Sequence, residues 1–128
     1  MIGVDKMSTK ENLEQTFKGE TTEVGLYLAM AEKAEEEGYP EVALYLKGVA
    51  MDEADHACAA AKNLELIGTT KENLQKMFDG EQKAFEMKSK AAEEAQKEGR
   101  MDIAGFFRWS AGEEKKHAAG LKEFVDKI

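Results

Sequence analysis

Cysteine and proline are almost missing from this chain, with Cys58 and Pro40 the sole examples of each. One thiol makes no intrachain disulfide and no four-thiolate zinc or iron site. One proline leaves long helices uninterrupted, because proline is the residue that most strongly breaks them. Long hydrophobic runs are lacking too. Nothing approaches membrane-span length, and the opening Met1-Ile2-Gly3-Val4-Asp5-Lys6 has no apolar stretch suited to a signal peptide. Positive charge is in deficit: the formal net charge is −8. That disfavours nucleic acid and anionic membranes as partners. At 128 residues the chain is long enough for one domain with a core, 1–128, and the expectation is a soluble cytoplasmic protein.

Histidine is scarce as well, and the two present organise the rest. Glu53-Ala54-Asp55-His56 reads Glu-x-x-His, and the pattern returns as Glu114-Lys115-Lys116-His117, a shift of 61 residues. Glu20 and Glu81 obey the same shift. So do Thr9-Lys10-Glu11-Asn12-Leu13 and Thr70-Lys71-Glu72-Asn73-Leu74, Phe17 and Phe78, Gly38 and Gly99, and Ala43 and Ala104. No gap is needed between repeats of about 9–60 and 70–121. A repeat of this kind implies two copies of a helical hairpin.

Each copy opens with capping-box spacing, Ser8-x-x-Glu11 and Thr69-x-x-Glu72. The patterns predict helices over about 9–37, 40–66, 70–98 and 101–127. Gly38 and Gly99 suit the left-handed residue that ends a helix, and Pro40 suits the first turn of the next. On the first helix the apolar stripe is Leu13, Phe17, Val24, Leu28 and Ala31, with Glu20 inside it. On the second it is Val42, Leu46, Val49, Ala60 and Leu64, around Glu53 and His56. The third carries Leu74, Phe78, Phe85, Ala92 and Ala95 around Glu81. The fourth carries Ile103, Phe107, Ser110, Leu121 and Val125 around Glu114 and His117. The fold class is therefore all-α.

The chemistry follows from those interruptions. A lone Glu-x-x-His is ordinarily a solvated helix face. Two in register, with two more glutamates on apolar stripes, are different, because buried unpaired carboxylates are costly. Residues i and i+3 share a helix face, so each pair aims a carboxylate and an imidazole at one point. A pair of cations would compensate the carboxylates, and this ligand set is that of a dinuclear site in a four-helix bundle. Oxygen-rich ligation with one imidazole per metal suits iron or manganese more than structural zinc.

These residues resemble the rubrerythrins, among the ferritin-like diiron-carboxylate proteins. The resemblance covers nearly the whole chain: Gly19-Glu20, Glu53-x-x-His56, Gly80-Glu81 and Glu114-x-x-His117. The stretch from Gly19 to Met30 looks especially like reverse rubrerythrin. The resemblance implies a ferritin-like four-helix bundle with two iron ions per site, for which manganese or zinc could substitute. It implies bridging by Glu53 and Glu114, with Glu20, Glu81, His56 and His117 terminal. It also implies reduction of hydrogen peroxide to water in oxidative-stress defence. Rubrerythrins place a further glutamate three residues after the helix-three ligand; here that position is Ala84, and Glu23 stands at the symmetry-related place. Glu23 is thus an expected ligand, and Tyr27 an expected hydrogen-bond donor to a ligand carboxylate. The rubredoxin domain typical of the family is missing from this chain, as in sulerythrin and symerythrin, so electrons are expected from a separate donor such as a rubredoxin. The same ligands would serve a ferroxidase or a non-enzymatic metal-binding sensor. Cys58, two residues past His56, reads as a small core residue, and Tyr45 and Trp109 as core or interface filler.

The family's arrangement runs the second and third helices parallel. A return between them would have to cover about 30 Å of helix. Ile67-Gly68-Thr69 reaches about 10 Å fully extended. A domain-swapped homodimer is therefore expected, with an up-down-up-down monomer as the alternative.

Overall fold

The computed structural model describes residues 6–128; the opening segment Met1–Asp5, read above for want of an apolar leader, lies outside the described residues. Four helices account for nearly all of it: α1 (Thr9–Glu36), α2 (Pro40–Asn63), α3 (Thr70–Lys97) and α4 (Met101–Lys127). There is no strand among the described residues. The chain is all-α, as the periodicity predicts. It divides at Ile67/Gly68 into two compact units, one the α1–α2 hairpin and the other the α3–α4 hairpin.

The helix ends form where the sequence marks them, with one exception. Thr69 and Glu72 make the full capping box: the Thr69 hydroxyl accepts from the Glu72 N–H, and the Glu72 carboxylate accepts from the Thr69 N–H. Ser8 accepts from the Glu11 N–H, but its hydroxyl, not its backbone, donates to the Glu11 carboxylate. Gly38 (φ 84°) and Gly99 (φ 77°) are left-handed. In each case the next residue donates back to the helix, Tyr39 to Ala34 O and Arg100 to Ala95 O, which closes a Schellman motif. α2 ends three residues before the expected boundary, by the same motif. Leu66 donates to Ala61 O and Glu65 to Lys62 O, with Glu65 itself left-handed at φ 57°. No glycine marks this end, so the pattern alone carries the helix too far.

Each hairpin packs on alanine. The buried residues Ala31, Ala34, Ala43, Ala50 and Ala57 recur as Ala92, Ala95, Ala104, Ala111 and Ala118. The α2 set is spaced by seven, as is the α4 set, so each forms one seam along its helix. Methyl side chains let the two backbones of a hairpin approach closely, and among the described residues no large side chain is fully buried. Larger stripe residues such as Phe17, Leu46, Phe78 and Phe107 are half-buried beside the seam. Leu28 and Val42, expected on the buried stripe, are exposed, as are Tyr45 and Trp109. Cys58 is exposed rather than in the core. It follows the buried Ala57 by one residue, and that step of about 100° carries it off the seam.

Candidate metal centre

The alanine seam places the carboxylates. On α2, Ala50, Glu53 and Ala57 stand three and four residues apart, so Glu53 lies on the face that packs against α1. Ala111, Glu114 and Ala118 repeat this on α4. On α1 the matching face runs Glu20, Val24, Tyr27, Ala31, and on α3 it runs Glu81, Phe85, Lys88, Ala92. Each glutamate is thereby drawn into its hairpin by the alanines around it.

Two clusters result, one per hairpin. Glu20, Glu53 and His56 offer donor atoms all within 4.8 Å of one another, and Glu81, Glu114 and His117 do the same. His56 Nδ1 lies 3.5 Å from Glu20 Oε1 and 4.0 Å from Glu53 Oε1. His117 Nδ1 lies 3.5 Å from Glu81 Oε2. The carboxylates are mostly shielded while both imidazoles are about half exposed, so each cluster has a shielded acidic floor and an open imidazole rim.

The electrostatics of these groups call for a cation. Glu20 Oε2 and Glu81 Oε2 are buried and have no hydrogen-bond partner. An unpartnered buried carboxylate oxygen is expensive, and a metal ion is the partner that suits two such oxygens beside an imidazole. In the second hairpin Glu81 and Glu114 share a hydrogen bond. That bond, burial and the Glu114 charge push the Glu81 carboxyl above its ordinary range, against the opposing pull of His117. The same bond holds Glu114 below its ordinary range. Burial opposes this, while Lys88 and His117 reinforce it. The residues of each cluster therefore fit a carboxylate-rich metal position.

Of the residues singled out in the sequence, six fall into the two clusters. Glu23 lies exposed on α1 outside the first cluster, and Tyr27 is half-buried on the Glu20 face. Lys88 and Ser110 were not foreseen as part of the site. The Lys88 ammonium donates to Ser110 Oγ (2.8 Å) and to Glu114 Oε1 (3.2 Å). The 61-residue shift could have found them, since Lys88 stands at the repeat position of Tyr27.

Comparison with known proteins agrees with the motifs. The family model described as Rubrerythrin matches residues 11–77 and again 72–128, once per repeat. The chain is 43% identical over 128 residues to an uncharacterized protein of Methanocaldococcus jannaschii, an alignment covering 98% of this chain and 91% of that one. It is 48% identical over 97 residues to reverse rubrerythrin-1 of Clostridium acetobutylicum, covering 74% of this chain and 53% of the relative. It is 31% identical over 123 residues to the rubrerythrin of Porphyromonas gingivalis, covering 85% and 62%. The chain thus spans between about half and three fifths of the two relatives that carry rubrerythrin names. Among the described residues no helix is long and apolar enough to cross a membrane.

Proposed function

The chain belongs to the rubrerythrin family, whose members are diiron oxidoreductases, and from that premise we propose that it reduces hydrogen peroxide to water in oxidative-stress defence. The observation that carries the reading is the duplicated cluster, each copy with a buried carboxylate oxygen lacking a partner. Together the copies offer four carboxylates and two imidazoles, enough for two irons, with manganese or zinc as possible substitutes. When bound and reduced, the iron pair supplies two electrons, one per metal, so that one peroxide and two protons give two waters.

The chain's own residues hold and tune the pair. Glu53 and Glu114 would hold the metals together with Glu20, Glu81, His56 and His117, the first two as the bridging carboxylates that the family resemblance implies. Glu23, one turn beyond Glu20 and exposed, would join the site only by a side-chain rotation. Tyr27, on the Glu20 face, would donate its hydroxyl to a ligand carboxylate and so fix its orientation. A rubredoxin-type protein is the electron donor of this reading. The test is anaerobic reconstitution with ferrous iron, then stopped-flow mixing with peroxide and separately with dioxygen. The reading expects two irons per six-ligand set, oxidised by one peroxide and faster than by dioxygen. Retained ferric mineral with slow peroxide oxidation would instead indicate a ferroxidase.

We also propose a domain-swapped homodimer. The connection from α2 to α3 is Leu64–Thr69, longer than foreseen because α2 ends at Asn63. A return that ran α2 and α3 parallel would have to cover about 27 Å between the levels of His56 and Glu81. Seven extended steps reach only about 24 Å, and the Schellman turn at Leu64–Leu66 curls the first of them. Exposed Leu44, Tyr45, Met87 and Trp109 leave apolar surface for a second copy to cover. Light scattering should give twice the chain mass of 14.2 kDa. A monomer that retains two irons would rule the swap out.

A further inference from the structure

The repeat leaves one contact of the site without a counterpart. The Lys88 ammonium sits 3.2 Å from Glu114 Oε1 and is anchored by Ser110 Oγ at 2.8 Å. Shifted back by 61, Lys88 becomes Tyr27 and Ser110 becomes Val49. The first hairpin therefore places a neutral phenol and a hydrocarbon where the second places a cation and its anchor. Among the described residues, the ion pairs of Glu20 and Glu53 are with His56 alone.

A lysine on a carboxylate is ordinarily a solvent-screened pair of little consequence. This one differs in its surroundings. The Glu114 side chain is 18% exposed and that of Lys88 34%, and Ser110 is buried. The ammonium is thus held in a fixed place, on a carboxylate that the metal-centre reading makes a ligand.

We infer that Lys88 makes the two metal positions unequal, so that a divalent cation binds more weakly beside His117 than beside His56. The inference rests on the metal-centre reading above. Two physical effects act in the same direction. The ammonium occupies a lone pair of Glu114 that a metal would otherwise use. Its positive charge also repels a second cation only a few ångströms away, where screening by solvent is incomplete. Changes to groups that contact a ligand commonly alter metal affinity by about 10–100-fold. The consequence is ordered loading: the Glu20–Glu53–His56 side fills first, while Lys88 holds Glu114 in position until the second metal displaces it.

The chain's two histidines make this directly measurable, since each imidazole reports one position. Zinc, which is diamagnetic, is added stepwise to the full metal-free protein while both imidazoles are followed by NMR. In the parent, His56 should respond first, with its position favoured by about tenfold or more. In Lys88→Met the two should respond together, and in Lys88→Arg, which keeps the charge, the parental order should persist. Tyr27→Lys gives a reciprocal test that does not depend on the folding of the Lys88 variants: it should weaken the His56 position and erase the preference. The inference is overturned if the parent loads both positions together, or if Lys88→Met keeps the parental order. If neither imidazole responds to zinc, the metal-centre reading itself falls and takes this inference with it.

Discussion

Replacing Glu81 with glutamine should have opposite consequences with and without metal. Glu81 is 17% exposed in its side chain, and its Oε2 is buried without a partner. It faces Glu114, with which it shares a hydrogen bond that raises its own carboxyl above the ordinary range. Glutamine keeps the shape, removes one like charge and supplies a permanent N–H donor to Glu114. Without metal, Glu81→Gln should be as stable as the parent or more stable by about 1 kcal/mol, the usual worth of a satisfied hydrogen bond. With metal the effect reverses. A cation present at about 100 times its Kd stabilises the folded state by about 2.7 kcal/mol. If loss of a carboxylate ligand weakens binding about 100-fold, the same cation adds only about 0.4 kcal/mol. The missing stabilisation corresponds to roughly 7–12 °C in Tm for a chain of this size. The assay is thermal unfolding by circular dichroism, in excess chelator and again with zinc or manganese. If glutamine destabilises equally in both conditions, Glu81 is a structural carboxylate and the reasoning fails. A full metal response in the variant would be equally damaging.

The other predictions concern the frame and the edge of the site. Ala43→Leu and Ala104→Leu, at seam positions 1% and 0% exposed, should each destabilise by about 1–3 kcal/mol in denaturant unfolding despite added hydrophobicity; a gain in stability would mean that the hairpins do not pack closely on alanine. Thr69→Ala should cost about 1 kcal/mol by removing the α3 cap. The Thr69 hydroxyl and N–H hold the Glu72 carboxyl below its ordinary range. That contribution is therefore fully present above the ordinary carboxylate range and lost as pH falls through the depressed value, so a Glu72→Gln protein should show a weaker acid dependence of stability there. Glu23→Ala should still bind two irons but react more slowly with peroxide in single-turnover mixing, and unchanged kinetics would remove Glu23 from the site.

What could be read from the sequence is what duplication wrote twice. Glu20 and Glu81, the two Glu-x-x-His pairs, the Gly38 and Gly99 helix ends and the capping spacings each recur at one offset, so coincidence is hard to sustain for any of them. The alanine seam was equally duplicated, but alanine is a weak signal of burial. Its five repeated positions make sense only once two backbones are seen to approach there. That is also why the larger apolar residues misled. Leu28 and Val42 fit a helical stripe, yet a hairpin that closes on methyl groups leaves them exposed.

Two features that escaped, the end of α2 at Glu65 and the Lys88–Ser110 contact, fall where the two copies differ. Glu65 takes the left-handed place that glycine holds at the other two Schellman ends. A non-glycine residue there costs on the order of 1–2 kcal/mol, so sequence preference argues against the conformation it adopts. Glu23 and Ala84 differ, as do Tyr27 and Lys88, and Val49 and Ser110. All but the first of these pairs lie on the faces that carry the candidate ligands or beside them. Tyr27 and Lys88 thus differ beside groups whose own symmetry is kept. A dinuclear centre with identical ligands on both sides would treat its two metals alike. Reducing an O–O bond does not require equal metals, and unequal surroundings let one position load, or give up its electron, before the other. The duplicated glutamates and histidines are the residues that could hold metal, and the unduplicated Tyr27 and Lys88 are where the two positions would acquire different affinities.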